Sequence, residues 1–237
     1  MVAGIDSFRD KFRGFGMRIG ENVFCIGYLA FALVAGIIFT TRTVSTGNLF
    51  FRICAVMTLL LGGGDAFHLI PRIIINFKGE TSDQGAQRKR DFWLGLGNLI
   101  SSITMTVFYI FFFAALSVKY GTYDVSSVMP EKFTLYLVLN VLAIIRIILC
   151  LFPQNHWFSK DRETIWGLFR NIPFAIMGVI TVLYLIIWYR EWLLAVLVTL
   201  SFVCYMIVVL GARKKPMLGM MMIPKTICYI LMIALFL

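Results

Sequence analysis

Long apolar runs separated by short polar connections repeat along the whole chain. Seven runs, at 22–42, 50–77, 92–118, 132–152, 166–189, 192–211 and 217–237, reach the roughly 20 residues that a helix needs to cross a bilayer core of about 30 Å. The pattern predicts an all-α fold, a polytopic membrane bundle of seven transmembrane helices over residues 22–237, behind a leader at 1–21. The connection at Arg190-Glu191 is so short that spans five and six should form a tight antiparallel hairpin. Lys78–Asp91 reads as a solvated, flexible linker, and Lys119–Lys132, with Tyr120, Tyr123 and Pro130, as an interfacial cap. In the leader, Ile5, Phe8, Phe12, Phe15 and Ile19 recur at steps of three and four. That spacing predicts a basic amphipathic helix on the cytoplasmic leaflet, with a disordered basic leader as the alternative.

Polar residues interrupt the apolar runs and gather at one depth. In span two Asp65, His68 and Arg72 stand at i, i+3 and i+7 and share a helix face. Span three carries Asn98, Ser101 and Ser102, followed at the same period by Met105 and Tyr109. Arg146, then Arg170 with Asn171, then Lys225 with Tyr229 follow in spans four, five and seven. A charge in hydrocarbon is costly, so such side chains face a bundle interior or a water-filled cavity. The plainer readings are polar packing contacts for the serines and Asn98, and snorkelling to the interface for Arg146 and Arg170. Gly62, Gly63 and Gly64 should admit a neighbouring helix closely. Pro71, Pro173 and Pro224 each follow an isoleucine near one membrane depth, which predicts kinks, either around a shared cavity or as ordinary bends.

Composition agrees with the span count. Of 237 residues, 60% are hydrophobic and 14% charged, and the mean hydropathy is +0.87; this leaves no length for a second, soluble domain. The net charge of +10 is not a nucleic-acid signature, because it concentrates in alternate connections. Arg9, Lys11, Arg13 and Arg18 precede span one; Lys78 and Arg88–Arg90 follow span two; Lys160 and Arg162 follow span four; Arg213–Lys215 follow span six. This positive-inside pattern predicts an integral protein of a bacterial-type plasma membrane, with a cytoplasmic N-terminus and an external C-terminus. No signal peptide is evident before the first span.

Candidate chemistry narrows the field further. Cys25, Cys54, Cys150, Cys204 and Cys228 all fall within spans and form no Cys-x-x-Cys pair, so they read as small buried hydrophobes. Two histidines, His68 and His156, cannot supply a three-histidine zinc site, and no cofactor is expected. The inner half of the bundle sets Arg72, Arg146, Arg170 and Lys225 against Asp65, the one carboxylate read inside a span. Water or an anion such as phosphate would have to balance that excess.

These residues bear a family resemblance. Leu60-Leu-Gly-Gly-Gly-Asp65, Phe92-Trp-Leu-Gly-Leu-Gly97 and Tyr109-Ile-Phe-Phe-Phe113 resemble the signature of the YhhN-type lysoplasmalogenase family, as do Leu200-Ser201, Arg213…Pro216 and Thr226…Tyr229. The resemblance touches about half the chain, in short pieces. It implies a membrane bundle with a lysophospholipid pocket and vinyl-ether hydrolysis. Two departures bear on the chemistry: Phe202 stands where the family carries a second aspartate, and Thr104 and Thr106 lie where it has a histidine. The family also has one more span than the seven read here.

The expected function is binding, with hydrolysis as the reaction open to it, of an anionic amphiphile such as a lysophospholipid. Asp65 and His68 are the expected acid–base pair; Arg72, Asn98, Ser101, Arg146, Arg170, Asn171, Lys225 and Tyr229 are expected to bind the ligand. The expected partners are membrane lipids and that ligand, with no nucleic acid. A small transporter or channel for an organic anion, hinged at the prolines, is the runner-up, and a non-catalytic membrane protein the third reading.

Overall fold

A computed structural model of the chain describes residues 2–78, 83–121, 130–158, 164–211 and 215–237. Among these residues there is no strand, and seven helical segments are long and apolar enough to cross a membrane, the fifth and seventh counting the π and 3-10 turns that adjoin their α-helices. They are α1 (Val2–Thr46), α2 (Leu49–Lys78), α3 (Gln84–Lys119), α4 (Pro130–Leu151), α5 (Thr164–Tyr184), α6 (Trp192–Gly211) and α7 (Met222–Ala234). A π-helical turn, Leu185–Tyr189, extends α5, and a 3-10 stretch, Pro216–Met221, leads into α7. The tight α5–α6 hairpin forms as expected: Arg190 takes a left-handed conformation (φ 54°) and the Glu191 amide donates back to the Leu185 carbonyl at 2.9 Å.

Two boundaries differ from the hydropathy reading. Helix α1 runs unbroken through residue 21, and Glu21 pairs with Arg72 of α2, so it belongs to the bundle. Helix α3 starts inside the expected linker. Asp83 caps it, its carboxylate accepting from the Gly85 and Ala86 amides at 3.2 and 3.1 Å, and the Gln, Ala, Arg and Lys residues that follow propagate a helix well. The side chains of Ile5, Phe8, Phe12 and Phe15, and Tyr123, Lys160, Arg162, Arg213 and Lys214, lie outside the described residues.

The core is aromatic. Phe39, Phe108, Tyr109, Phe112, Phe113, Phe174 and Tyr184 are almost wholly buried, and Phe113 and Tyr184 meet edge to face with centroids 4.3 Å apart. Leu33, Val34, Val141, Ile144, Val196 and Leu200 are exposed on the outside, as a lipid-facing surface requires. All five cysteines are buried. Pro71 and Pro173 lie within helices, whereas Pro224 is the third residue of α7, where the first turn tolerates proline without a kink.

Helices α2 and α3 approach most closely, antiparallel, at glycines. A Cβ on Gly97 would stand 2.4 Å from the Phe67 carbonyl oxygen and 2.6 Å from the His68 Cα. Gly64 is overlain by the Thr104 side chain and Gly62 by the Ala32 Cβ, while Gly63 meets nothing within 4 Å. The α2–α3 approach therefore uses Gly64 and Gly97, Gly62 admits α1, and Gly63 is left on an open face. Gly97→Ala must displace backbone and is expected to lower stability by about 1–3 kcal/mol. Gly63→Ala should be neutral or raise it by up to ~1 kcal/mol through helix propensity. Thermal unfolding of the two variants in detergent checks the contrast; equal effects would contradict this packing.

Candidate functional site

The close approach of α2 and α3 brings Asp65 beside Ser101. Ser101 Oγ donates to Asp65 Oδ1 at 2.6 Å, and the Tyr28 hydroxyl of α1 donates to Oδ2 at 2.7 Å. Both carboxylate oxygens thus accept, which satisfies the charged group within the bundle. Seven residues on, Arg72 forms an ion pair with Glu21, itself seven residues before Tyr28. Seven residues are two helical turns, so two polar rungs join α1 to antiparallel α2. A third polar contact extends the seam: Asn76 Nδ2 donates to Asn22 Oδ1 at 2.9 Å. Glu21 corrects the expectation that Asp65 was the one carboxylate within the bundle. The hydropathy boundary had assigned it to the leader.

Beside these rungs lies a cavity of about 260 Å³. Its wall includes Asp65, His68 and Arg72 of α2, Asn98, Ser101, Ser102 and Met105 of α3, Trp157, Arg170, Tyr205 and Lys225. The structure thus brings together seven of the ten expected site residues. The Arg170 guanidinium lies 4.1 Å from the Trp157 ring, and its Nη1 donates to Asn155 Oδ1 at 2.6 Å. Asn155 in turn donates to the Leu149 and Phe152 carbonyls at 2.6 and 3.0 Å, while Trp157 Nε1 donates to the Cys150 carbonyl at 2.8 Å. The turn after α4 therefore closes that helix and holds Arg170. His156 is exposed in that turn, with φ 47°. Lys225 is buried; its Nζ donates to Met105 Sδ at 3.0 Å and lies 5.4 and 5.2 Å from the Tyr205 and Tyr229 rings.

Three expected ligand residues stand behind the wall. Arg146 is completely buried, with its guanidinium 3.4 Å from the Phe174 centroid. Its Nη1 donates to Thr106 Oγ1 at 2.8 Å and its Nη2 to the Tyr205 hydroxyl at 3.5 Å. Tyr205 donates to Asn171 Oδ1 at 2.6 Å, so Arg146 and Asn171 fix Tyr205 from behind. Such burial corrects the snorkelling alternative for Arg146. Tyr229 packs against Phe108 and Tyr109, with centroids 5.2 and 6.3 Å away. Sequence reasoning missed Tyr205, Asn155 and Trp157 as site-forming residues. Only the polar cluster Gln154-Asn-His-Trp157 between two apolar runs hinted at the last two.

The charge balance is uneven. Among the described residues, Arg146, Arg170 and Lys225 are held by hydroxyl, amide, thioether and ring partners, with the Asp65 carboxylate acting on Lys225 through space, while Arg72 has Glu21. Neutral partners solvate a buried cation without cancelling its charge. None of the three prolines lines it. A second hollow of about 510 Å³ between α1, α2 and the start of α7 adjoins it; Leu69, Arg72, Met222 and Thr226 belong to both walls. Its lining sets Arg18, Glu21, Arg72, Tyr28 and Thr226 beside Phe24, Cys25, Leu69, Met220, Met222 and Ile223.

The two hydroxyls on Asp65 define a measurable coupling. Tyr28→Phe and Ser101→Ala should each lower stability by about 1–3 kcal/mol. Because both donate to one carboxylate, a double-mutant cycle should give a coupling of about 0.5–3 kcal/mol. Additive losses in thermal unfolding would show that Asp65 does not join α1 to α3.

Comparison of the chain with protein-family models, with curated proteins and with solved structures gives no match.

Proposed function

We propose that this membrane protein binds a single-chain anionic amphiphile of the lysophospholipid type, with its head group in the internal cavity and its chain in the adjoining hollow. One observation carries the reading: a cation-rich polar cavity and an apolar hollow share a wall at Arg72. The cavity alone is smaller than the roughly 300–1,000 Å³ of sites that enclose a whole small molecule. A phosphate and its glycerol suit it, and a hydrocarbon chain suits the hollow. Arg170 and Lys225 supply charge to the phosphate, since Arg72 is already engaged by Glu21.

Hydrolysis of a vinyl ether is the reaction open to such a site, in keeping with the resemblance to lysoplasmalogenases. Protonation of the alkene carbon and addition of water yield an aldehyde and an alcohol. His68 is the proton donor in this reading, and Asp65, accepting at both oxygens, orients or deprotonates the water. The alternating basic connections support a cytoplasmic placement of the cavity end of the bundle.

Asp65→Asn is expected to abolish release of aldehyde from a vinyl-ether lysophospholipid while binding persists. Arg170→Gln should weaken binding roughly tenfold or more, the order expected for a charge-assisted contact of ~1.5–3 kcal/mol. Equilibrium binding and product assays with the purified protein read both effects. Unchanged affinity in Arg170→Gln would remove the phosphate assignment, and unchanged turnover in Asp65→Asn would remove the catalytic one.

Orientation is tested separately. An impermeant thiol reagent outside intact cells should label Ser45→Cys and spare Gly85→Cys, two exposed positions at opposite ends of the bundle. The reverse pattern would invert the topology.

A further inference from the structure

We propose that the outer faces of α2 and α3 form a second lipid site, selective for a phospholipid with an anionic head group. A groove of about 590 Å³ runs between these helices on the side of α2 away from the cavity. Its wall is hydrocarbon: Phe67, Ile70 and Ile74 of α2 stand 46–50% exposed along it, and the small Ala66 and Ala86 keep it deep. At one end the surface changes character. Lys89 and Arg90 line that end beside Trp93, which is 50% exposed. An amphipathic ring beside two cations is the arrangement found at the boundary between acyl chains and head groups.

Arg90 brings its guanidinium to the polar end of the groove, next to Lys89. A phosphodiester oxygen is the acceptor that a guanidinium fork suits best, and acyl chains fill a hydrocarbon groove at the same depth. A second copy of the chain fits less well. Copies in one membrane share their depth, so a symmetric contact through this groove would oppose Lys89 and Arg90 to their own kind. The charge complementarity favours a lipid carrying net negative charge over a zwitterionic one.

Native mass spectrometry of the full chain, released from micelles with equimolar phosphatidylglycerol and phosphatidylcholine of matched chains, tests the site. The parent should retain phosphatidylglycerol roughly fivefold or more over phosphatidylcholine, the order expected from the Lys/Arg attraction. Lys89→Gln with Arg90→Gln should erase the preference, and Ala86→Phe, which keeps both cations but fills the groove, should lose the retained lipid. Arg170→Gln should leave the preference intact, separating this site from the internal cavity. Equal retention of the two lipids by the parent would overturn the proposal. So would a preference that survives the double substitution or vanishes in Arg170→Gln, or a lipid-free dimer as the main species.

Discussion

A carboxylate inside an apolar bundle must be hydrogen-bonded on both oxygens or it destabilises the fold. Asp65 meets that demand from two helices at once, through Tyr28 of α1 and Ser101 of α3. The contact is possible because glycines remove the side chains that would hold the helices apart; a Cβ at Gly64 or Gly97 would strike its neighbour. With α1, α2 and α3 in register, Arg72 reaches Glu21. The polar face of α2 then opens toward Asn98, Arg170 and Lys225. Much of the site therefore follows from one buried acid and the residues that let it be satisfied.

The cations obey a different logic. Arg146, Arg170 and Lys225 are held by rings, amides and a thioether, and Asp65 is one negative charge among the three. A protein that needed only a stable bundle could place hydrocarbon at these positions with equal or better stability. Keeping charge there, next to a cavity and beside an apolar hollow, suits recognition of a ligand that brings both negative charge and a chain. Rigid support for Tyr205 and Trp157 from Asn171 and the Cys150 carbonyl keeps the wall in one geometry.

Hydropathy made the seven helices and the alternating connections legible, since a run of some 20 apolar residues has few other uses. The i, i+3, i+7 spacing likewise put Asp65, His68 and Arg72 on one face, and the cavity bears that face. What the sequence hid was pairing between helices. Glu21 and Tyr28 read as the edge and start of a span, because hydropathy averages over windows and cannot see an antiparallel partner seven residues apart on both sides. Arg146 looked like a wall residue, since its depth is legible while the direction of its side chain depends on Phe174 and Tyr205 of other helices. Helix α3 began early because Asp83 caps it, a local signal inside a polar stretch that reads as a linker.

The central claim is that a lipid phosphate lies against the cavity arginine. Solid-state NMR on protein labelled with 15N-arginine, carrying an equimolar lysophospholipid in a deuterated bilayer, measures it through 31P–15N dipolar dephasing. The account predicts a contact-distance component that is lost in Arg170→Lys, where the 15N-guanidinium is gone, and kept both in Arg90→Lys at the outer groove and in Arg42→Lys at the opposite end of α1. No dephasing in the parent, or dephasing unaffected at Arg170, would contradict it.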